Sequence, residues 1–456
     1  MKENPSLPDF RGFKWWLAAI GILAVAVRFG FLSFLHHQYM QSGVTAWHGV
    51  HALCIAQGHP FEVDSSLAYQ LQALQNKENR LVDPQEILDG GYEIKPDMKW
   101  HGSDVPGYSF LLAGLWKFLP ARYIFAQVLV MTLDVLASLA IAIAVCLLFD
   151  RAGGVAAGAL YALFPLTALL SLFASRDHFG ALGIVFSFLF LFLYLKTMRT
   201  IYLLLSSFVL ALFSWFRPFG VVLPIFYGAG IMIYLGARKG IRDTLLMFGV
   251  LVLAFFLPYS LLNKALYNRF FPSFPYIPLA QSLGEIPNSH GFQNSDEYCV
   301  QEARRATGRE DLSLTEVGDY WRERVITVVR TDPSFVGRVL IHRAKTTPTM
   351  GYTPFLNMPR EGLGGWWNLI AIPLRWFLKT ILLWMAIGLA LVWWKRGWRL
   401  ALVALAPGVG YFLSIFLFRW PDPRYYYPWL VTPIIVFGAT IGILAEKTLP
   451  LICRRK

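Results

Sequence analysis

KWHGSDVPGYSFLLAGLWKF, Lys99 to Phe118, decides how this chain is threaded. A polar head, His101-Gly-Ser-Asp104, runs into Pro106-Gly107 and then into an apolar helical pattern that meets Lys117 too soon for a membrane span. Crossing the roughly 30 Å hydrocarbon core takes about 20 apolar residues. If this stretch crosses, every later connection changes sides; if it does not, the charges sort cleanly.

The surroundings are membrane. Apolar residues make up 56% of the 456 residues and charged ones only 15%, too little charge to cover a soluble body of this length. Ten spans are expected, at about 14–35, 122–149, 154–174, 178–196, 200–216, 218–237, 243–262, 376–394, 399–418 and 426–445. Lys14, Arg151, Lys196, Arg199, Arg238, Lys239, Arg242, Lys395, Arg396, Arg399 and Lys447 fall on one side, with both termini. The opposite short connections hold Arg176, Arg217, Arg419 and Arg424. The positive-inside rule then puts both termini in the cytoplasm, provided that Val105–Phe118 lies in the outer interface without crossing. The net charge of +13 therefore reports topology rather than nucleic-acid binding, and no nucleic-acid partner is expected. Trp15–Leu35 has no small-residue cleavage site after it and reads as a retained first span.

The expected architecture is all-α and polytopic, in three parts. Residues 1–262 form a transmembrane module whose first outer loop, about 36–121, carries interfacial helices, with Ala46–Gln57 a second amphipathic candidate. Residues 263–375 form a small α-rich outer subdomain, helical over Leu312–Leu340 and punctuated by Asp332-Pro333. Residues 376–456 supply the last spans and a cytoplasmic tail. Cys54 and Cys299 both fall in outer segments, so a disulfide between them is conceivable in an oxidising compartment.

The chemistry gathers at helix ends on the outer side. Arg176, Asp177 and His178 sit in one short connection, Arg217 in the next, Arg424 and Tyr425 in the last, and His101 and Asp104 precede the short helix. An arginine fork suits phosphate, and a carboxylate suits deprotonation of a hydroxyl. The combination beside lipid suggests a phosphorylated lipid substrate, although any single arginine at a helix end can simply snorkel to headgroups. The histidines of the first loop, with His48 and His51 at i, i+3, could be metal ligands, but no HExxH or DxD pattern supports a divalent ion and no cofactor is assigned. Two charges lie inside the membrane. Arg28 is about 21 Å beyond Lys14, and Asp134 about 24 Å from Asp150, at the helical rise. Unpaired charges at that depth are costly, so spans one and two should be neighbours joined by this pair. Arg28 is then either a structural pin or a group aimed at the lipid phosphate.

These features, in this order, resemble the GT-C glycosyltransferases. HALCIAQGHPF (51–61) resembles their A-x-x-(I/L)-A-x-G-x-x-F, VPGYSFLLAGLWKFLP (105–120) their P-P-G-Y step, ALFPLTALLSLFASRDHFGALGIVFSFLFLFLYLK (162–196) their third and fourth spans, FRPFG (216–220) their R-P-x-G, and DPRYYYPWL (422–430) their R-Y-x-x-P. The resemblance covers most of 14–446 and is nearest to the branch of aminoarabinose, galacturonic acid and protein O-mannosyl transferases. It implies an outward-facing site at the cytoplasmic (inner) membrane. There a polyprenyl-phosphate sugar would be attacked by a hydroxyl of a lipid, glycan or protein acceptor, usually with inversion. One departure stands out: the family places an acid just after the first span, and His36–Val50 contains none. Asp104 is the preferred substitute base, followed by Asp177, then Glu62 and Asp64. His101, Arg176, His178, Arg217, Arg424, Tyr425 and Arg28 are the candidate substrate-binding residues. The alternatives are a ligase or polymerase using a lipid-diphosphate glycan, with His342 and Arg343 in play, and a transporter or flippase.

Overall fold

The computed structural model describes residues 12–35, 44–100, 105–173, 176–217, 221–270, 296–312, 314–346, 364–418 and 427–453. The described residues are helical nearly throughout. Among the described residues five helices are long and apolar enough to cross a membrane, or up to seven if each of two bent pairs is one span, and shorter apolar helices accompany them. It is a multi-pass membrane protein.

The first span is α1 (Phe13–Leu35). The first long connection follows: α2 (Val44–Ala56), β1 (Glu62–Val63), α3 (Ser65–Glu78), α4 (Pro84–Asp89), β2 (Met98–Lys99) and α5 (Gly107–Trp116), with β1 and β2 paired antiparallel. Then come α6 (Tyr123–Leu148), α7 (Arg151–Leu163), α8 (Pro165–Leu172), α9 (His178–Thr197), α10 (Thr200–Ser214) and α11 (Leu223–Leu235). Next, α12 (Ala237–Leu251) passes through a π turn, Val252–Phe256, into α13 (Leu257–Tyr267). The second long connection holds α14 (Asp296–Thr307), α15 (Leu314–Thr331) and α16 (Pro333–Thr346). The chain ends with α17 (Asn368–Lys379), α18 (Ile381–Arg396), α19 (Trp398–Phe418), a 3₁₀ turn Tyr427–Leu430, and α20 (Val431–Cys453).

Each expected span meets a helix or helix pair, with two differences. The span expected at 154–174 is broken. Pro165 cannot donate to the ladder, Phe164 turns extended (ψ 114°), and α7 and α8 bend by 48°. The span expected at 376–394 bends by 63° at Thr380, between α17 and α18. Helix α7 is the hub: it packs on α6, α1 and α20. Its small residues permit the approach, since a Cβ at Gly154 would sit 2.6 Å from the Ala142 carbonyl oxygen.

The short helix of the opening stretch has only ten residues, about 15 Å at the helical rise, and cannot cross. It buries Tyr108, Ser109, Leu112, Ala113 and Trp116. Its start is clamped to the end of α10: the Gly107 N–H donates to the Trp215 carbonyl at 3.0 Å. A Cβ at Gly107 would lie 2.4 Å from that same oxygen, which is backbone and cannot swing aside. Gly107→Ala should therefore cost about 1–3 kcal/mol in unfolding experiments, the usual range for overpacking, and wild-type stability would show that α5 can shift freely.

Helix α2 corrects its expectation. It is not a one-sided interfacial helix, because Ala46, His48, Val50, His51, Ala52, Leu53 and Cys54 are all buried. Helices α3 and α5 cover it, and the Tyr123 hydroxyl donates to the Thr45 carbonyl at 2.9 Å. Cys54 and Cys299 lie in separate hydrophobic clusters, the second formed by α14 and α15 around Trp321, and Cys54 is a free thiol. The disulfide is not formed. Burial pushes the Cys54 thiol up to about 11, so little thiolate exists at neutral pH. Cys54 should resist alkylation in the folded protein and react on unfolding; rapid native labelling followed by mass spectrometry would contradict this.

Candidate functional site

The break between α7 and α8 explains the intramembrane charge pair. Ending a helix inside the membrane strands carbonyls that water cannot reach. Arg28 of α1 supplies the donors. Its guanidinium donates to the Tyr161 carbonyl (3.1 Å), to the Ala162 carbonyl and to Thr167 Oγ1 (3.1 Å), while Nε donates to Asp134 Oδ2 at 2.7 Å. A cation at a helix C-terminus is also favoured by the dipole. Thr167 helps from α8 by donating to the Phe164 carbonyl at 2.7 Å. Spans one and two are thus joined by the anticipated Arg28–Asp134 contact, and both side chains are fully buried. Because these donors serve protein acceptors, the geometry favours the pin over an arginine aimed at substrate.

Asp134 has more than one partner. Its Oδ1 accepts from the Tyr161 hydroxyl at 2.7 Å and lies 2.8 Å from His178 Nε2. A carboxylate can only accept, so Nε2 carries the proton in this contact. His178 begins α9, is 1% exposed, and stacks on Tyr427 with ring centroids 5.5 Å apart. Its Nδ1 is buried and has no hydrogen-bond partner among the described residues. Sequence reasoning missed Tyr161 and Thr167; the signal was the Phe164-Pro165 break, which demands polar groups nearby.

One residue back, Asp177 forms an ion pair with Arg217, both about 5–6% exposed. Asp177 occupies the position before α9 without a side-chain cap bond, so its charge is spent on Arg217 rather than on its own helix. Arg176 is buried beside it in the chain. Arg217 also lines a crevice with Gly180, Gly183, Phe213 and Tyr411. The structure therefore gathers Arg176, Asp177, His178 and Arg217 at the start of α9 and the end of α10. The Gly107–Trp215 clamp places the start of α5 two residues from Arg217. His101, Asp104, Arg424 and Tyr425 lie outside the described residues, as do the side chains of His342 and Arg343.

The other candidates are occupied. Asp64 caps α3 through Leu67 N (2.9 Å) and also accepts from Lys95 N (2.8 Å) and the Tyr92 hydroxyl (3.2 Å). Glu62 is exposed and bonds His59 at 3.0 Å. His48 Nδ1 meets Ser109 Oγ at 2.7 Å, and His51 meets the Pro60 carbonyl at 3.0 Å while stacking on Trp100 at 3.9 Å. Among the described residues no group of three or more His, Cys, Asp or Glu is placed to hold a metal ion.

No family model matches the chain, and no curated protein matches its sequence. Solved structures do match. The apo oligosaccharyltransferase of Archaeoglobus fulgidus overlays with TM-score 0.54 at 14% identity, over 96% of this chain and 51% of that one. The same archaeal enzyme, AglB, in complex with an inhibitory peptide and a dolichol-phosphate overlays with TM-score 0.54 at 12% identity, again over 96% and 51%. ArnT of Cupriavidus metallidurans bound to undecaprenyl phosphate overlaps over 95% of this chain and 78% of that one, at TM-score 0.34 and 12% identity, too loosely to bear on the argument. This chain spans about half the length of the archaeal structures. Overlap of this kind, across nearly the whole of this chain, establishes the fold.

Proposed function

We infer, for a chain that carries the GT-C fold, that it moves a sugar from a polyprenyl-phosphate donor to an acceptor hydroxyl at the outer face of the cytoplasmic membrane. The observation that supports this most is the gathering of Arg176, Asp177, His178 and Arg217 at one end of α9 and α10. Buried guanidinium groups at the start of a 20-residue helix suit a phosphate: forks match its oxygens and the helix dipole adds favourable potential. In this reading Asp177 holds Arg217 in place. The donor phosphate sits between Arg217 and Arg176, and Asp104, Arg424 and Tyr425 close the site from neighbouring segments. Both termini are cytoplasmic, and residues 36–121 and 263–375 lie outside. The acceptor is a lipid, glycan or protein of the envelope.

The test is incubation of purified protein in lipid vesicles with polyprenyl-phosphate sugars, following free polyprenyl phosphate. Release that depends on an added hydroxyl acceptor is expected. Release of a polyprenyl diphosphate from a lipid-diphosphate glycan instead would replace this reading with a ligase. Neither product above empty vesicles would overturn it.

A further inference from the structure

We propose that His178 is the proton acceptor of the transfer reaction and that Asp134 is its positioning residue; this rests on the glycosyl-transfer reading above. A buried polar atom with no partner is uncommon enough to need a reason. Here the other ring nitrogen is fixed by Asp134, which is ionised against Arg28 and further held by Tyr161. That contact sets the tautomer: with the proton on Nε2, the buried, unpartnered Nδ1 carries a lone pair. An imidazole oriented by a carboxylate at one nitrogen and left without a partner at the other has the makings of a general base.

Among the described residues, the candidate carboxylates near α9 and in the first loop are otherwise engaged. Asp177 is paired with Arg217, Asp64 accepts from three donors, and the stretch after α1 has no acid. The electrostatics also balance. As the acceptor oxygen bonds to the sugar C1, its proton passes to His178 Nδ1. The C1–O bond to phosphate breaks with its electron pair on the phosphate oxygen, so a monoanionic diester becomes a dianionic monoester. The site gains one positive charge on the imidazole as it gains one negative charge on the leaving group. Asp134 stabilises the imidazolium without being protonated, and the proton leaves with the phosphate or to water on product release.

The experiment uses the full chain in vesicles with the polyprenyl-phosphate sugar and acceptor of the assay above. His178→Ala should lose about 10²- to 10⁴-fold in turnover, keep its donor affinity, and regain turnover severalfold on adding imidazole. His178→Asn fills the space without a basic nitrogen; it should melt like the wild type and be as inactive. Asp134→Asn should lower kcat at unchanged donor KM. Near-normal turnover of His178→Asn, or an alanine variant deaf to imidazole, would overturn the assignment while the glycosyl-transfer reading stands. A wild type that releases no polyprenyl phosphate would remove both.

Discussion

Replacing Asp134 with alanine should destabilise the protein by about 3–5 kcal/mol, the cost of leaving a buried charge without its partner. The cost arises because the pair sits at the break between α7 and α8, where among the described residues Asp134 is the carboxylate that answers the charge of Arg28. Arg28 and Asp134 are both 0% exposed, and the guanidinium also serves the carbonyls of Tyr161 and Ala162. Losing Asp134 strands three donors at once: Arg28 Nε, the Tyr161 hydroxyl and His178 Nε2. Arg28→Lys keeps the charge but lacks the fork, and one ammonium cannot reach Asp134, two carbonyls and Thr167 together. It should fall between the wild type and Asp134→Ala, with about 1–3 kcal/mol lost. Denaturant unfolding in micelles, read by tryptophan fluorescence, checks the order. An Asp134→Ala protein within about 1 kcal/mol of the wild type, the level expected of exposed pairs, would mean that water or lipid headgroups reach Arg28.

That pair was legible from sequence because depth is a one-dimensional quantity. Counting residues from Lys14 and from Asp150 put Arg28 and Asp134 at matching depths, and membrane chemistry left pairing as the usual escape. The same one-dimensional counting marked the long apolar helices and showed α5 to be too short to cross. It failed where neighbours decide. Ala46–Gln57 has the spacing of a surface helix, but α3, α5 and Tyr123 enclose it, and no periodicity announces that. The α7–α8 bend could be read from Phe164-Pro165, yet that Arg28 would cap the broken end needed the third dimension. At the candidate site the sequence named Arg176, Asp177 and His178 in one short connection and Arg217 in the next, from their place at helix ends. It could not say that Asp177 would be neutralised by Arg217, or that His178 would turn to Asp134 rather than to its chain neighbours. The Cys54–Cys299 disulfide failed for the same reason: compartment is a property of a segment, whereas bonding is a property of two positions.

Arg217→Ala should reduce turnover by about 10²- to 10³-fold, the loss usually seen when one preorganised group that stabilises developing charge is removed. The argument starts from burial. Arg217 is 6% exposed, paired with Asp177, and walls a crevice at the end of α10, so it is not snorkelling into headgroups. A guanidinium in that setting has been desolvated, and desolvation is repaid most fully by a second anion. In the proposed reaction the phosphate goes from one negative charge to two as the sugar leaves, so Arg217 binds the product end of the reaction more tightly than the start. That is the condition for an effect on kcat rather than on affinity alone. The structural confound is plain, because alanine also leaves Asp177 buried without a counter-charge. The double variant Asp177→Asn/Arg217→Ala removes both charges and separates the two causes. If Arg217 stabilises the leaving phosphate, the double variant melts close to the wild type and stays as slow as the single one. If Arg217 exists only to neutralise Asp177, the double variant recovers activity along with stability. Arg217→Lys adds a finer reading: a point charge restores field but not the two-pronged contact, and should recover part of the lost rate. Recovery of full rate by the double variant would remove Arg217 from the phosphate site, and would move the search to Arg176 and to the arginine of the last connection.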